Sequence, residues 1–103
     1  MTALAPSDVV ASLNRALWGE VSPALRSVQF TAEPQHIGLR FFFGGTPEHG
    51  DIESVNCIGA EVAADFPGCT VSEEVIPTTV GTAIPRQDGW YLAYARKEAS
   101  LVA

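Results

Sequence analysis

The chain has 103 residues, 47% of them hydrophobic and 17% charged, with a formal net charge of −6 and a pI near 4.6. That composition is too apolar for a disordered chain and suits one globular domain, which at this length buries roughly two thirds of its unfolded surface. Six basic residues scattered among twelve acids argue against nucleic acid and anionic membranes, both of which need clustered Lys and Arg.

The first residues, Met1 to Pro6, show neither a basic n-region nor a long apolar run. Nor is there an 18-residue apolar stretch of the kind that spans a membrane. The expectation is a cytoplasmic protein. Cys57 and Cys69 are too few for a disulfide framework and read as free thiols. With only His36 and His49 beside them, they match no zinc spacing, so no metal or other cofactor is expected.

In chain order, Ser7 reads as the cap of a first helix, with Asp8 in its first turn and Val9, Val10, Leu13, Ala16 and Leu17 at helical spacing. Gly19 and Pro23 mark its end. From Ala24 to Ala32 the period changes to two. Ala24, Val28, Phe30 and Ala32 alternate with Ser27, Gln29 and Thr31, which predicts a half-buried strand. Arg26 interrupts the apolar face, as a residue near the sheet's edge would. Pro34 and Gln35 make a turn, and a second strand follows from Ile37 to Phe43, so the pair reads as an antiparallel hairpin. Ile37, Leu39, Phe41 and Phe43 share one face; Gly38, Arg40 and Phe42 share the other.

Gly44 and Gly45 end that strand, and Thr46 with Pro47 reads as the cap and first position of a second helix. Ile52, Val55, Ile58, Gly59, Val62 and Phe66 form its apolar stripe. Glu53, Cys57 and Glu61 line the opposite side at i, i+4 and i+8, with Asp65 beside them. Like charges so spaced oppose helix formation by a few tenths of a kcal/mol, so such a row suits a partner at least as well as the fold. Pro67 and Gly68 stop the helix. Cys69 to Ile76 reads as a third strand whose adjacent Glu73 and Glu74 point to opposite faces, a pattern that blunts an edge strand. Pro77 to Gly89 is a long connection, either a binding loop or slack. Trp90 to Lys97 is a fourth strand, and the tail from Glu98 to Ala103 is expected to fray.

The order α-β-β-α-β-β, without a linker, predicts a single α+β domain. Its expected architecture is a two-layer sandwich with two helices on one face of a four-stranded, mostly antiparallel sheet. From Phe41 to Pro85 there are seven acids, Glu48, Asp51, Glu53, Glu61, Asp65, Glu73 and Glu74, and no Lys or Arg. An acidic stretch of this kind favours a binder of something basic, since steering raises association rates. No catalytic constellation is visible. Glu73 and Glu74 diverge, and nothing in the spacing favours a thiol–imidazole pair of Cys57 with His36 or His49.

Several runs carry a family resemblance. They are Leu39-Arg40-Phe41-Phe42-Phe43-Gly44, Ala60-Glu61-Val62-Ala63-Ala64-Asp65-Phe66-Pro67, Glu73-Glu74-Val75-Ile76, and the closing Gly89-Trp90-Tyr91-Leu92-Ala93-Tyr94-Ala95-Arg96-Lys97-Glu98. From about Leu17 to Glu98 the chain resembles small bacterial proteins, some of which are immunity proteins of polymorphic toxin systems, including contact-dependent growth inhibition. It departs from them in placing uncharged Ser54, Asn56 and Cys57 on the second helix. The resemblance implies a non-catalytic antitoxin whose partner is a cognate toxin domain, often a basic nuclease. The expected contacts are Glu48, Asp51, Glu53, Glu61, Asp65, Glu73 and Glu74, with Trp90 or Tyr91 as an aromatic anchor. Two other readings stand beside it. One is a homodimeric adaptor joined through the sheet face around Arg40 and Phe42; the other is a small enzyme using Cys57 or the histidines.

Overall fold

The hairpin expected from period-two patterning is the centre of the molecule. In the computed structural model, which describes residues 4–98, β1 (Leu25–Glu33) and β2 (His36–Gly44) pair antiparallel from Glu33 opposite His36 back to Leu25 opposite Phe43. Gln35 closes the turn in the left-handed region at φ 66°. Around this pair the chain adds α1 (Pro6–Ala16), α2 (His49–Asp65), β3 (Thr70–Thr78) and β4 (Tyr91–Ala95). The sheet has four strands in the order β3-β2-β1-β4. β4 pairs antiparallel with β1, and β3 pairs parallel with β2, so the sheet is mixed but mostly antiparallel. The parallel pair follows from connectivity: β2 reaches β3 through a 17-residue helix, and a crossover of that length returns the chain in the same direction.

Both helices cover one face of the sheet, and the core lies between. Ile37, Leu39, Phe41 and Phe43 of β2 and Val28 and Phe30 of β1 meet Val9, Leu13 and Ala16 of α1 and Val55, Ile58 and Val62 of α2. Truncating a side chain such as Phe41, which is fully buried, costs about 3–5 kcal/mol.

The helix starts differ from the sequence reading. α1 begins at Pro6, whose missing N–H and fixed φ suit the first turn; Ser7 therefore lies inside the helix and caps nothing. α2 begins later than Thr46 and Pro47. Glu48 is its N-cap and forms a reciprocal capping box with Asp51. That box turns Asp51 inward, so the buried row of α2 is Asp51, Val55, Ile58, Gly59 and Val62, and Ile52 is 37% exposed.

β3 and β4 lie at opposite edges, so the chain between them must traverse the sheet. Residues 79–90 do so on the face away from the helices, where Arg26, Gln29 and Arg40 hold them. The connection read as a loop or slack is thus a fixed strap. It lies beside Phe42, which is 4% exposed, and so provides the second layer on the face proposed for homodimer contact.

Arg26 is the fastening point, not an edge residue. The register between β1 and β2 shifts from Leu25/Phe43 to Ser27/Phe42, leaving Arg26 as the extra residue of a bulge, a device that re-aims a side chain. Its side chain is 0% exposed. All five of its N–H donors find acceptors. Nε and Nη2 donate to the two carboxylate oxygens of Glu98 at 2.7 and 2.8 Å, Nη1 donates to Thr78 Oγ1 and the Thr79 carbonyl, and Nη2 also donates to the Thr82 carbonyl. Arg96 donates to the same Glu98 carboxylate at 2.9 Å. These two arginines hold the Glu98 carboxyl down to about 2. Glu98 is therefore pinned and does not fray; residues 99–103 of the expected tail lie outside the described residues.

Candidate functional site

The acidic residues that are contiguous in sequence divide among four places in the fold. At the start of α2, the Asp51 carboxylate accepts the Glu48 N–H at 2.9 Å, and the Asp51 N–H is held by the Glu48 side chain. Glu48 remains exposed, whereas Asp51 is 8% exposed and committed to the cap. Beside them Ser22, Pro23, Ala24, Gly44 and Thr46 line an open depression of about 330 Å³. Its position beside a helix N-terminus follows from the cap, since Thr46 and Pro47 turn the chain out of β2 before the helix begins.

Along the outward face of α2, Glu53, Cys57 and Glu61 are all exposed, as the helical spacing required. His49 Nε2 lies 2.8 Å from Glu53 Oε1, one helical turn on. Glu61 makes no ion pair among the described residues. At the helix end Asp65 belongs to a contact between the helices. It accepts from Ser12 Oγ at 2.6 Å and from Arg15 Nη2 at 2.8 Å, and these bonds lower its carboxyl below the usual range.

Glu73 and Glu74 diverge across the sheet as expected. Glu73 turns to the helix side and presses against Gly59 of α2; a Cβ on Gly59 would fall 1.6 Å from Glu73 Oε2. A side chain at that position would require the Glu73 carboxylate to move aside. The partial burial raises the Glu73 carboxyl above its ordinary value, and no cation faces it among the described residues. Glu74 turns to the strap side and accepts from Arg40 Nε at 3.0 Å. Arg40 also donates to Gln87 Oε1 at 2.7 Å and lies 3.9 Å over the Trp90 ring. Gln29, Phe42, Ile76 and Pro85 complete a shallow hollow of about 270 Å³ around this group. Tyr91, on β4, stacks on Phe30 with ring centroids 5.3 Å apart and is 46% exposed.

The structure therefore brings Glu48, Glu53 and Glu61 to the outer surface at and along one helix, with Glu73, also exposed, against its neighbouring face at Gly59. Asp51, Asp65 and Glu74 are engaged in intramolecular bonds, and Trp90 anchors the strap. Tyr91 is partly open, on the far side of the sheet from β3. Sequence reasoning passed over Arg26 and Glu98, which fix the strap. The available signal was a charged residue in an apolar strand with an acid at the chain's end. His36 is tied to Thr70 and Ser72 across β2 and β3, and His49 to Glu53, so neither imidazole has Cys57 among its hydrogen-bond partners. Among the described residues no group of three or more His, Cys, Asp or Glu is placed to hold a metal ion. No described helix is long and apolar enough to cross a membrane.

Among the described residues no arginine pairs with Glu48, Glu53 or Glu61. Arg15 pairs with Asp65 at the end of α2, and Arg26, Arg40 and Arg96 pair with Glu98 and Glu74 away from that helix. A small α+β protein with four of its five arginines engaged in ion pairs and an acidic outer helix has the character of a binding module. The chain belongs to the MafI2 immunity protein family, whose family model matches residues 6–98. That membership supports an immunity role, implies a cognate toxin as partner, and suggests a non-enzymatic function. Among curated proteins no match to the chain is found.

Proposed function

We propose that this chain neutralises a cognate, basic, nuclease-type toxin in the cytoplasm by binding it through the acidic exterior of α2 and its neighbourhood. The observation that carries the reading is the outward row of Glu48, Glu53 and Glu61, exposed and without a Lys or Arg partner, on a chain of net charge −6. A nuclease domain presents Lys and Arg to phosphates, and carboxylates placed against them are electrostatically complementary. Speed matters for such a protein, since every unbound toxin molecule acts at once. Long-range attraction raises the encounter rate before any contact forms. Tyr91, partly open, serves as an aromatic contact at the periphery, and Asp51, Asp65, Glu74 and Trp90 contribute by holding the scaffold. The chain acts as a binder and performs no chemistry of its own.

The test is kinetic. Reversing Glu53 and Glu61 to Lys should slow association with the cognate toxin domain by about tenfold or more at low salt. An association rate within twofold of the unaltered chain at low salt would refute the electrostatic reading.

A further inference from the structure

β3 has an unused edge. It pairs only with β2 among the described strands. The direction of its backbone groups follows from two bonds: the Thr70 N–H donates to the Gln35 carbonyl at 2.8 Å, and the Thr78 carbonyl accepts from the Gly45 N–H at 2.8 Å. Both even-numbered residues thus face β2. Because N–H and C=O groups of a strand alternate in direction, those of Val71, Glu73 and Val75 point away from the sheet. Pro77 is the next outward position, and it has no N–H to offer. This is the placement in which a strand tolerates proline, and it ends the usable edge at Val75.

The layer above that edge is incomplete. Gly59 of α2 stands over Glu73, which fixes the orientation of the helix there. Ile52, Asn56, Gly59 and Ala63 follow one another at i, i+4, i+7 and i+11, so they form one row along the β3 side of the helix. The row holds one large apolar residue, Ile52, which is 37% exposed. The rest of the row is Asn56, Gly59 and Ala63, which carry no large apolar side chain towards the strand edge. Glu73 reaches over Gly59 at this edge; it is exposed to solvent, its carboxyl is raised by partial desolvation, and no cation faces it among the described residues.

Unpaired outward amides and, beside them, an exposed carboxylate lacking a counter-charge converge on one occupant. We propose that the cognate toxin docks by adding an extended segment to the outer edge of β3. The segment bonds the backbone of Val71, Glu73 and Val75 and sets a Lys or Arg side chain against Glu73. Main-chain bonds of this kind supply attachment, and the side chain under α2 supplies selectivity. A second copy of this chain fits the edge poorly. Two β3 edges laid together would bring Glu73 and Glu74 of each copy next to those of the other, and opposed like charges are destabilising. A basic segment has no such conflict. The inference rests on the toxin-binding reading and adds the mode of binding.

The experiment is backbone amide exchange, read by NMR on this chain alone and with an equimolar amount of its cognate toxin domain. In the complex the amides of Val71, Glu73 and Val75 should exchange at least about tenfold more slowly. The substitution Val75→Pro removes an N–H that points outward and leaves the ladder to β2 intact; it should weaken the complex about tenfold or more. A complex in which these three amides exchange as in the free chain overturns the edge-docking inference and leaves toxin binding standing. Failure to form any complex overturns both. If Val75→Pro does not fold, the exchange measurement on the unaltered chain still decides.

Discussion

Replacing Arg26 with Met asks whether the strap depends on one buried side chain. Met fills a similar volume but supplies none of the five N–H donors, so the Thr79 and Thr82 carbonyls lose their bonds and Glu98 loses its bidentate partner. Removing one member of a buried ion pair costs about 3–5 kcal/mol. The lower end applies here, because Glu98 is 19% exposed and keeps Arg96 at 2.9 Å. For a domain of this size about 3 kcal/mol corresponds to a fall in Tm of roughly 10–20 °C. Thermal and urea unfolding would measure it, and amide exchange over residues 79–85 should quicken before global unfolding. Arg96→Met, which leaves the buried guanidinium in place, should cost less. A Tm within 3 °C of the unaltered protein would refute the claim that Arg26 fastens the strap.

Three further outcomes follow from the same contacts. Glu98 has a folded value of about 2 against an ordinary 4.5, so its contribution is fully present above pH 4.5 and is lost as pH falls towards 2. Asp65 acts in the same direction. Acid titration of stability should therefore show a loss across that window, and Glu98→Gln should flatten it; an unchanged acid limb would contradict the assignment. Glu73 is raised, so its own contribution is present at low pH and lost as pH rises; Glu73→Gln should raise Tm at neutral pH, and an unchanged or lower Tm would count against the desolvated carboxylate. Finally, Gly59→Ala should gain about 1 kcal/mol from helix propensity only when Glu73 is also Ala, since the added Cβ meets the Glu73 carboxylate. A double-mutant cycle with no coupling between the two positions would show that Glu73 does not occupy the space over Gly59.

Where side chains alternate with the period of their element, the sequence is easy to read. The β1–β2 hairpin, the split of Glu73 and Glu74 across an edge strand, and the order of all six elements followed from that periodicity together with Gly and Pro stop signals and strand propensity. The misreadings come from competition between local signals. Ser7 and Thr46 have capping chemistry, but Pro6 and the Glu48–Asp51 box start the helices first. Once Asp51 turns inward to complete that box, it takes the first buried position of the stripe and Ile52 is left 37% exposed, while Val55, Ile58, Gly59 and Val62 stay as expected. Arg26 looked like an interruption of a buried face because its acceptors are distant in sequence: two strap carbonyls, one threonine hydroxyl and a carboxylate at the end of the chain. The candidate contact surface was only partly legible for a related reason. Seven acids adjacent in sequence lie on a helix cap, a helix exterior, a helix contact and both faces of a strand. Only the structure separates those that fold the protein from those left facing outward.

The most direct test is to mix the purified chain with its cognate toxin domain and follow complex formation and toxin activity together as salt is raised. The account expects a one-to-one complex in which the toxin is inactive, forming fast at low salt and more slowly as salt screens the Glu53 and Glu61 row. Full toxin activity in the presence of excess chain, with no complex at any salt concentration, would contradict it.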